Sequence, residues 1–245
     1  MLLDLLNDTT EIGYKVDLVQ LGLIIMLTFW FVACNGVMIY FMLRYRRKGP
    51  DEKTPDYRGN HTMEVIWTVV PTIICMVIFY FGWVVWAEMR NPPEDALDIR
   101  VTGQKWSWNY KYEFLDGRTT ASDLYVPAGT PVKLTMSSKD VLHSFFVPEF
   151  RVKEDVVPSF YTHMWFKADK PGIYNIFCTE YCGKDHSAML GKVHVLDAVQ
   201  WERFLRDEPL DGGPKLTPLQ KGELLFTKNG CLGCHSIDGA SSTGP

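Results

Sequence analysis

The chain has 245 residues, of which 47% are hydrophobic and 22% charged, and its formal net charge is −4. So mild a charge indicates no particular partner, and the lack of a basic tract interleaved with aromatic residues excludes a nucleic-acid-binding protein. Most hydrophobic residues lie in two blocks before residue 90, whereas the remainder is rich in Gly, Pro and charged residues. The sequence therefore predicts a membrane anchor and a separate water-soluble head.

Two apolar runs, 18–43 and 65–89, form the predicted anchor. Each is longer than the roughly 20 helical residues that cross about 30 Å of hydrocarbon. The alternative is a pair of buried helices in a large soluble core, but a chain of this length is too short to bury both. We therefore predict two transmembrane helices.

The charges that flank the spans predict their orientation. The N-terminal segment 1–17 carries four acidic residues and one lysine, whereas the loop 44–64 is crowded with basic residues. These are Arg44, Arg46, Arg47, Lys48, Lys53 and Arg58. Because Lys and Arg accumulate in cytoplasmic loops, we place the loop in the cytoplasm and the head outside it. We expect a multi-pass protein of a bacterial-type inner membrane.

The segment 96–196 is predicted to form an all-β domain. Short runs rich in β-branched and aromatic residues alternate there with turn sequences such as Asp116-Gly117. The clearest runs are 97–101, 105–114, 132–137, 161–168 and 172–178. Many short strands with regular turn signals are typical of a sandwich or barrel.

Two short helices are predicted after this domain. Asp197 stands at the N-cap position of an amphipathic stretch, so 197–214 should contain a short helix and a linker. Thr217 is followed by Pro218 at the first helical position and Gln220 at the third, which predicts a second helix to about Lys228. This helix begins a third module, 215–245.

Four of the six cysteines occur in two closely spaced pairs. Cys178 and Cys182 precede His186 and Met189 on one predicted loop, and His143 lies upstream. Thiolates, imidazoles and a thioether together select copper over hard cations. A mononuclear blue-copper site needs one cysteine, whereas two thiolates on one loop can bridge two metals, each completed by one histidine. The spacing therefore favours a binuclear copper site, with Met189 and a loop carbonyl as weak ligands.

Two other sites use the same residue types. A disulfide between Cys178 and Cys182 suits an oxidising compartment, but it leaves the histidines and Met189 unexplained. Structural zinc sites favour sets of Cys and His, and Met is a poor zinc ligand. Cys34 and Cys75 lie within the predicted spans, where packing of a small apolar side chain is the simpler interpretation.

Three motifs resemble subunit II of the haem–copper cytochrome c oxidases. They are Cys178-x-Glu-x-Cys-Gly-x-x-His-x-x-Met, His143-Ser-Phe-Phe-Val-Pro and Gly103-Gln-Lys-Trp-Ser-Trp-Asn-Tyr. The resemblance runs through both spans and the head. It implies a transmembrane hairpin of two helices, an all-β cupredoxin-like Greek-key barrel and a binuclear copper A centre.

The resemblance implies a role for each residue of the copper loop. The implied copper ligands are Cys178 and Cys182 as bridges, His143 and His186 as terminal ligands, and Met189 and the Glu180 carbonyl as axial ligands. The Glu180 carboxylate corresponds to a ligand of a magnesium ion at the boundary with subunit I.

Two residues outside this loop also gain a role from the resemblance. Trp106 corresponds to the surface residue through which electrons arrive from cytochrome c, and Gln104-Lys105 stands where the family often has His-Gln. Trp106 also alternates with Trp108 and Tyr110, so packing on the face of a strand is a second interpretation. Glu64 corresponds to a glutamate at the mouth of a proton channel, although a snorkelling boundary carboxylate is the alternative.

The second cysteine pair forms Cys231-Leu-Gly-Cys234-His235, the motif for covalent attachment of haem c. Cys231 and Cys234 would form the thioethers and His235 the proximal ligand. No Met or His follows His235, so a distal ligand is missing from the sequence. We interpret 215–245 as the start of an all-α cytochrome c domain in a longer natural chain.

The function expected from the sequence is subunit II of a proton-pumping terminal oxidase. It would accept electrons from a fused or soluble cytochrome c, or from another haem c donor complex, and pass them to haem in subunit I, where oxygen is reduced to water. Its partners would be subunit I, the other oxidase subunits and membrane lipid. The alternatives are the electron-accepting subunit of a copper A nitric oxide reductase and a copper-free structural subunit of a quinol oxidase.

Overall fold

The computed structural model describes residues 9–53, 56, 58–213 and 217–228, without the side chains of 227 and 228. Two long helices come first, α1 (Glu11–Arg44) and α2 (His61–Arg90). Their most apolar windows have mean hydropathies of 2.1 and 2.2, and both helices are long and apolar enough to cross a membrane. Both begin before the predicted apolar runs because Thr10 and Asn60 cap them, each accepting a backbone N–H of the first turn.

The head consists of ten strands in two five-stranded sheets. The strands are β1 (Leu97–Gln104), β2 (Ser107–Tyr112), β3 (Arg118–Ala121), β4 (Asp123–Pro127), β5 (Pro131–Ser138), β6 (His143–Val147), β7 (Val152–Val156), β8 (Thr162–Lys167), β9 (Gly172–Cys178) and β10 (Leu190–Leu196). One sheet has the order β3-β2-β1-β5-β8 and the other β4-β10-β9-β6-β7. Within the first sheet, β1 and β5 are parallel. The predicted cupredoxin-like all-β head is confirmed.

The core lies between the sheets and follows the alternation of the strands. In β5 every second residue is buried, and in β2 the buried residues are Trp108, Tyr110 and Tyr112. These three side chains are at most 1% exposed. The predicted strand 105–114 is wrong at both ends, because Trp106 lies in the turn before β2 and a short 3₁₀ turn follows it.

The strand registers bring four turns to one end of the head. Gln104 pairs with Ser107 across β1 and β2, while His143 pairs with Val156 across β6 and β7. In the second sheet, Phe177 pairs with Leu190 across β9 and β10. The turns 105–106, 139–142, 157–161 and 179–189 therefore share one end, which we call the loop end.

Both membrane helices are tied to the head by polar contacts. Lys15 in α1 donates to both carboxylate oxygens of Glu88 in α2, at 2.7 and 2.9 Å. The backbone carbonyl of Glu88 in turn accepts the indole N–H of Trp165 in β8 at 2.9 Å. Two residues further along α2, Arg90 pairs with Glu154 in β7 at 2.6 Å. The head is thus attached to both helices by more than its covalent linker.

A second attachment joins the start of α1 to the turn between β6 and β7. Arg151 donates to both carboxylate oxygens of Asp17, at 2.8 and 3.2 Å. Only 8% of the Asp17 side chain is exposed, against 38% for Arg151. The backbone N–H of Asp169 also donates to the carbonyl of Thr9 at 3.0 Å. The carboxylate in the Arg151–Asp17 ion pair is therefore largely buried.

Residues from Leu196 onward form a separate unit. Its first helix, α3 (Ala198–Leu205), begins with a reciprocal capping box between Asp197 and Gln200. Its second helix, α4 (Pro218–Lys228), is capped by Thr217, whose hydroxyl accepts the N–H of Gln220 at 3.3 Å. The haem-attachment motif, Cys231 to His235, lies outside the described residues.

Candidate metal centre

The loop end of the head collects the copper ligands expected from the sequence. His143 is the first residue of β6 and Cys178 the last residue of β9. Cys182, His186 and Met189 follow on the loop that leads into β10. Because β6 and β9 are neighbours, with Phe145 opposite Cys178, the distant histidine reaches the two cysteines.

The two sulfur atoms form the middle of the cluster. Sγ of Cys178 lies 3.8 Å from Sγ of Cys182, and Nδ1 of His143 lies 3.9 Å from the former. On the other side, Nδ1 of His186 lies 3.4 Å from Sγ of Cys182. Each thiol therefore has an imidazole nitrogen of its own.

Two weaker donors complete the set. Sδ of Met189 lies 3.8 Å from Sγ of Cys182, and the carbonyl oxygen of Glu180 lies 3.3 Å from Sγ of Cys178. Among the described residues, the ligand atoms of His143, Cys178 and Cys182 lie within 4.8 Å of one another. The structure thus brings together all six donors implied by the sequence.

The chemistry of these donors fits copper. Both cysteines are free thiols, and their sulfurs are far beyond the roughly 2.0 Å of a disulfide bond. Burial, followed by the neighbouring Cys178, raises the pKa of the Cys182 thiol to about 11. A thiol with a raised pKa is mostly protonated at neutral pH, and a bound metal ion would displace its proton. Buried sulfur, imidazole and thioether ligands match soft copper rather than a hard oxygen-loving cation.

The two ring nitrogens of His143 have different neighbours, because Nδ1 faces Cys178 and Nε2 contacts Asp140. His143 is fully buried, and its Nε2 lies 2.8 Å from Oδ1 of Asp140. Burial opposes ionisation of Asp140, but hydrogen bonds from Lys105 N–H, His143 and Val141 N–H outweigh it and lower its pKa to about 2. The sequence reasoning missed Asp140, although a carboxylate three residues before a ligand histidine is a usable signal.

Trp106 differs from the other aromatic residues of its segment. It lies in the turn between β1 and β2 and is partly exposed, whereas Trp108 is fully buried. A Cβ placed on Gly183 would be 3.4 Å from Cζ2 of Trp106, so the indole packs on the loop next to Cys182. Gly183 has a φ of 123°, a backbone conformation that favours glycine. The structure therefore places Trp106 in a turn beside the metal loop rather than on the face of strand β2.

The remaining predicted site residues lie elsewhere. Glu64 is in the first turn of α2, with 52% of its side chain exposed and His61 at 3.8 Å. The helix rises about 1.5 Å per residue, so Glu64 lies about 40 Å along α2 from the head-side end of this helix, Arg90. Cys231, Cys234 and His235 lie outside the described residues, so the haem c prediction is not tested by the structure.

Comparison with known protein families decides the relationship of this chain. The transmembrane-domain model of cytochrome c oxidase subunit II matches residues 7–84, and the periplasmic-domain model matches 117–196. Together these matches cover more than half of the chain. The chain belongs to the cytochrome c oxidase subunit II family. As a family member it is a membrane protein with an extracytoplasmic cupredoxin-like domain, as its sequence predicted.

Individual relatives are named as subunit 2 of cytochrome c oxidases. Cytochrome c oxidase subunit 2 of Alkalihalophilus pseudofirmus is 32% identical over 223 residues, covering 87% of this chain and 65% of that protein. The alternative cytochrome c oxidase subunit 2 of Bradyrhizobium diazoefficiens is 29% identical, covering 83% of each chain. The crystal structure of the periplasmic domain of subunit II from Bradyrhizobium japonicum is 27% identical, with a TM-score of 0.46, and covers 50% of this chain and 100% of that domain.

Proposed function

We propose that this chain is the electron-accepting subunit of a proton-pumping terminal oxidase of a bacterial-type inner membrane. It takes electrons from a haem c at a binuclear copper A centre and passes them to haem in subunit I, where oxygen is reduced to water. The observation that carries this proposal is the pair of facing thiols, each with an imidazole Nδ1 within 4 Å.

The chain supplies every ligand of the proposed centre. Cys178 and Cys182 would hold the copper pair together with His143 and His186. Met189 and the Glu180 carbonyl would be its weaker ligands. When bound, the copper pair supplies a site that accepts and releases one electron at a time.

The protein around the ligands limits movement and water. Cys182 is 3% exposed and Met189 is fully buried, so water is excluded from the thioether side. His143 is held by β6, which pairs with both β7 and β9. Donors fixed by strands and a packed loop change position little when the charge of the site changes, which favours fast electron transfer.

The direct test is paramagnetic resonance of the purified full chain reconstituted with copper. We expect a pair of copper ions per chain and splitting by two equivalent nuclei. The pattern of a single copper nucleus would contradict the binuclear proposal. A metal assay that finds no copper would instead favour the copper-free quinol oxidase alternative.

We predict that Trp106→Phe slows reduction of the centre by a haem c donor by roughly tenfold or more, because donor positioning is worth such factors. The copper spectrum should stay unchanged, since no ligand is altered. Stopped-flow reduction of the assembled oxidase measures the rate. Phe114→Leu is the control, because Phe114 is 40% exposed at the opposite end of the head. Equal rates in wild type and Trp106→Phe would assign the indole to packing alone.

Glu64 provides a separate prediction about protons. If its carboxylate lies at a proton-channel mouth, Glu64→Gln should slow reduction of the oxygen-binding haem, because the amide cannot carry a proton. Asp51→Asn, in the same cytoplasmic loop, should not. Stopped-flow absorbance of the oxidase measures both, and an unchanged rate in Glu64→Gln would leave the residue as a boundary carboxylate.

Two further cofactors are part of the proposal. Cys231, Cys234 and His235 would hold a covalent haem c that donates to the copper centre, and the Glu180 carboxylate would bind magnesium at the subunit I boundary. A haem stain of the full-length natural chain tests the first. Loss of bound magnesium or manganese from the assembled oxidase in Glu180→Gln tests the second.

A further inference from the structure

The carboxylate of Asp140 lies between two parts of the candidate site that are distant in sequence. Its Oδ1 is 2.8 Å from Nε2 of His143 and accepts the N–H of Val141 at 2.7 Å. Its Oδ2 accepts the backbone N–H of Lys105 at 2.7 Å. Lys105 immediately precedes Trp106. One side chain therefore contacts both a proposed copper ligand and the turn that carries the proposed electron-accepting tryptophan.

The contact with His143 determines which ring nitrogen is available to a metal. A carboxylate is an acceptor only, so Nε2 beside it carries a proton and donates. In the neutral ring, Nδ1 then keeps its lone pair, and Nδ1 is the atom that faces Sγ of Cys178 at 3.9 Å. Ligand histidines commonly have their other nitrogen bound to a carboxylate in this way.

The contact with Lys105 acts on the neighbouring turn. Lys105 is exposed, and its backbone N–H has the carboxylate of Asp140 as its acceptor. The indole of Trp106 lies against Gly183 on the metal loop. Releasing the Lys105 N–H would therefore loosen the turn and change how the indole sits on that loop.

A simpler role, stabilisation of the turn 139–142, accounts for only part of the geometry. That turn is supported by Ser138, whose hydroxyl donates to the carbonyl of Val141 and accepts the N–H of Asp140 at 3.2 Å. Stabilisation of this turn does not require Asp140 to contact His143. It also does not require a contact to Lys105, which is 35 residues from Asp140. We propose that Asp140 is a positioning residue that sets the tautomer of His143 and anchors the turn of Trp106. This inference rests on the proposed copper function.

The first test uses the metal-free full chain in a lipid nanodisc with ¹⁵N-labelled histidine and lysine. In the wild type, His143 should be the Nε2–H tautomer and the Lys105 amide should exchange slowly with solvent. Asp140→Ala should give mixed His143 tautomers and fast exchange at Lys105. Asp140→Asn, which is nearly isosteric, can satisfy one of the two contacts and should disturb the other. Wild-type values for both nuclei in both variants would overturn the proposal.

The second test measures copper. Competition with a chelator should show affinity about 10- to 100-fold weaker in Asp140→Ala, the loss typical of second-sphere partners of metal ligands. The potential of the centre should become more positive, because a less basic imidazole stabilises the oxidised metal less. Ser138→Ala controls for the turn and Lys139→Ala for a change of charge in that turn, and neither should shift the potential. If they shift it as much as Asp140→Ala does, the positioning role is wrong.

Failure of the wild type to bind two copper ions would contradict the copper function itself, while the tautomer and exchange results would still decide the role of Asp140.

Discussion

Cys182→Ser is expected to abolish the binuclear centre while leaving the head folded. Sγ of Cys182 lies within 3.8 Å of three other donor atoms, those of Cys178, His186 and Met189. A serine hydroxyl is a hard ligand that stays protonated at neutral pH, so it cannot bridge two soft copper ions. We expect the copper content of the chain to fall and oxidation of cytochrome c by the complex to drop to background. Metal analysis with paramagnetic resonance measures the first and an oxygen electrode the second.

The matched control for this variant is Cys75→Ser. Cys75 is exposed on α2 and lies far from the loop end, so its loss should leave both copper ions and the activity in place. Circular dichroism of both variants should match the wild type. A Cys182→Ser protein that kept the spectrum of two coupled copper nuclei would show that one sulfur is sufficient and would refute the bridging assignment.

Arg151→Ala is expected to destabilise the head by about 2 to 4 kcal/mol. The change removes the Arg151 ion pair and its two hydrogen bonds to Asp17, whose side chain is only 8% exposed. Breaking a buried pair by removing one partner typically costs 3 to 5 kcal/mol, and the 38% exposure of Arg151 reduces that loss. Urea unfolding of the full chain in detergent, followed by near-ultraviolet circular dichroism, measures the change.

A surface pair in the same head provides the comparison. Arg100 and Glu113 are 3.1 Å apart, but their side chains are 57% and 43% exposed, so Arg100→Ala should cost at most about 1 kcal/mol. The double variant Asp17→Asn with Arg151→Ala should be more stable than Arg151→Ala, because the amide needs no counter-charge. Equal unfolding free energies for Arg151→Ala and Arg100→Ala would mean that the Asp17 pair contributes no more than a surface contact.

Trp106 and Trp108 show what a sequence pattern cannot predict about the position of a side chain. Trp106 and Trp108 stand two residues apart, so alternation places them on one face of a strand. The pairing of Gln104 with Ser107 instead ends β1 and begins β2 around Trp106, which puts one indole in the turn and the other in the core. A pattern of period two cannot reveal this, because the turn is set by pairing with a neighbouring strand.

The copper loop shows the opposite case. Cys178, Cys182, His186 and Met189 occur within one loop, so the chain itself keeps them close, and their chemistry alone selects copper. The two apolar runs and the basic loop between them likewise predicted the anchor and its orientation, because hydropathy and charge are summed over neighbouring residues.

Only the tertiary structure decided which atoms of distant residues meet. The pairing of β6 with β9 turned Nδ1 of His143 toward Cys178 from 35 residues away, and Asp140 bound the other nitrogen. The Arg151–Asp17 pair joins residues 134 positions apart. Such contacts depend on sheet register and on how two helices meet a sheet, whereas the loop spacing and hydropathy that the sequence determined are local properties of the chain.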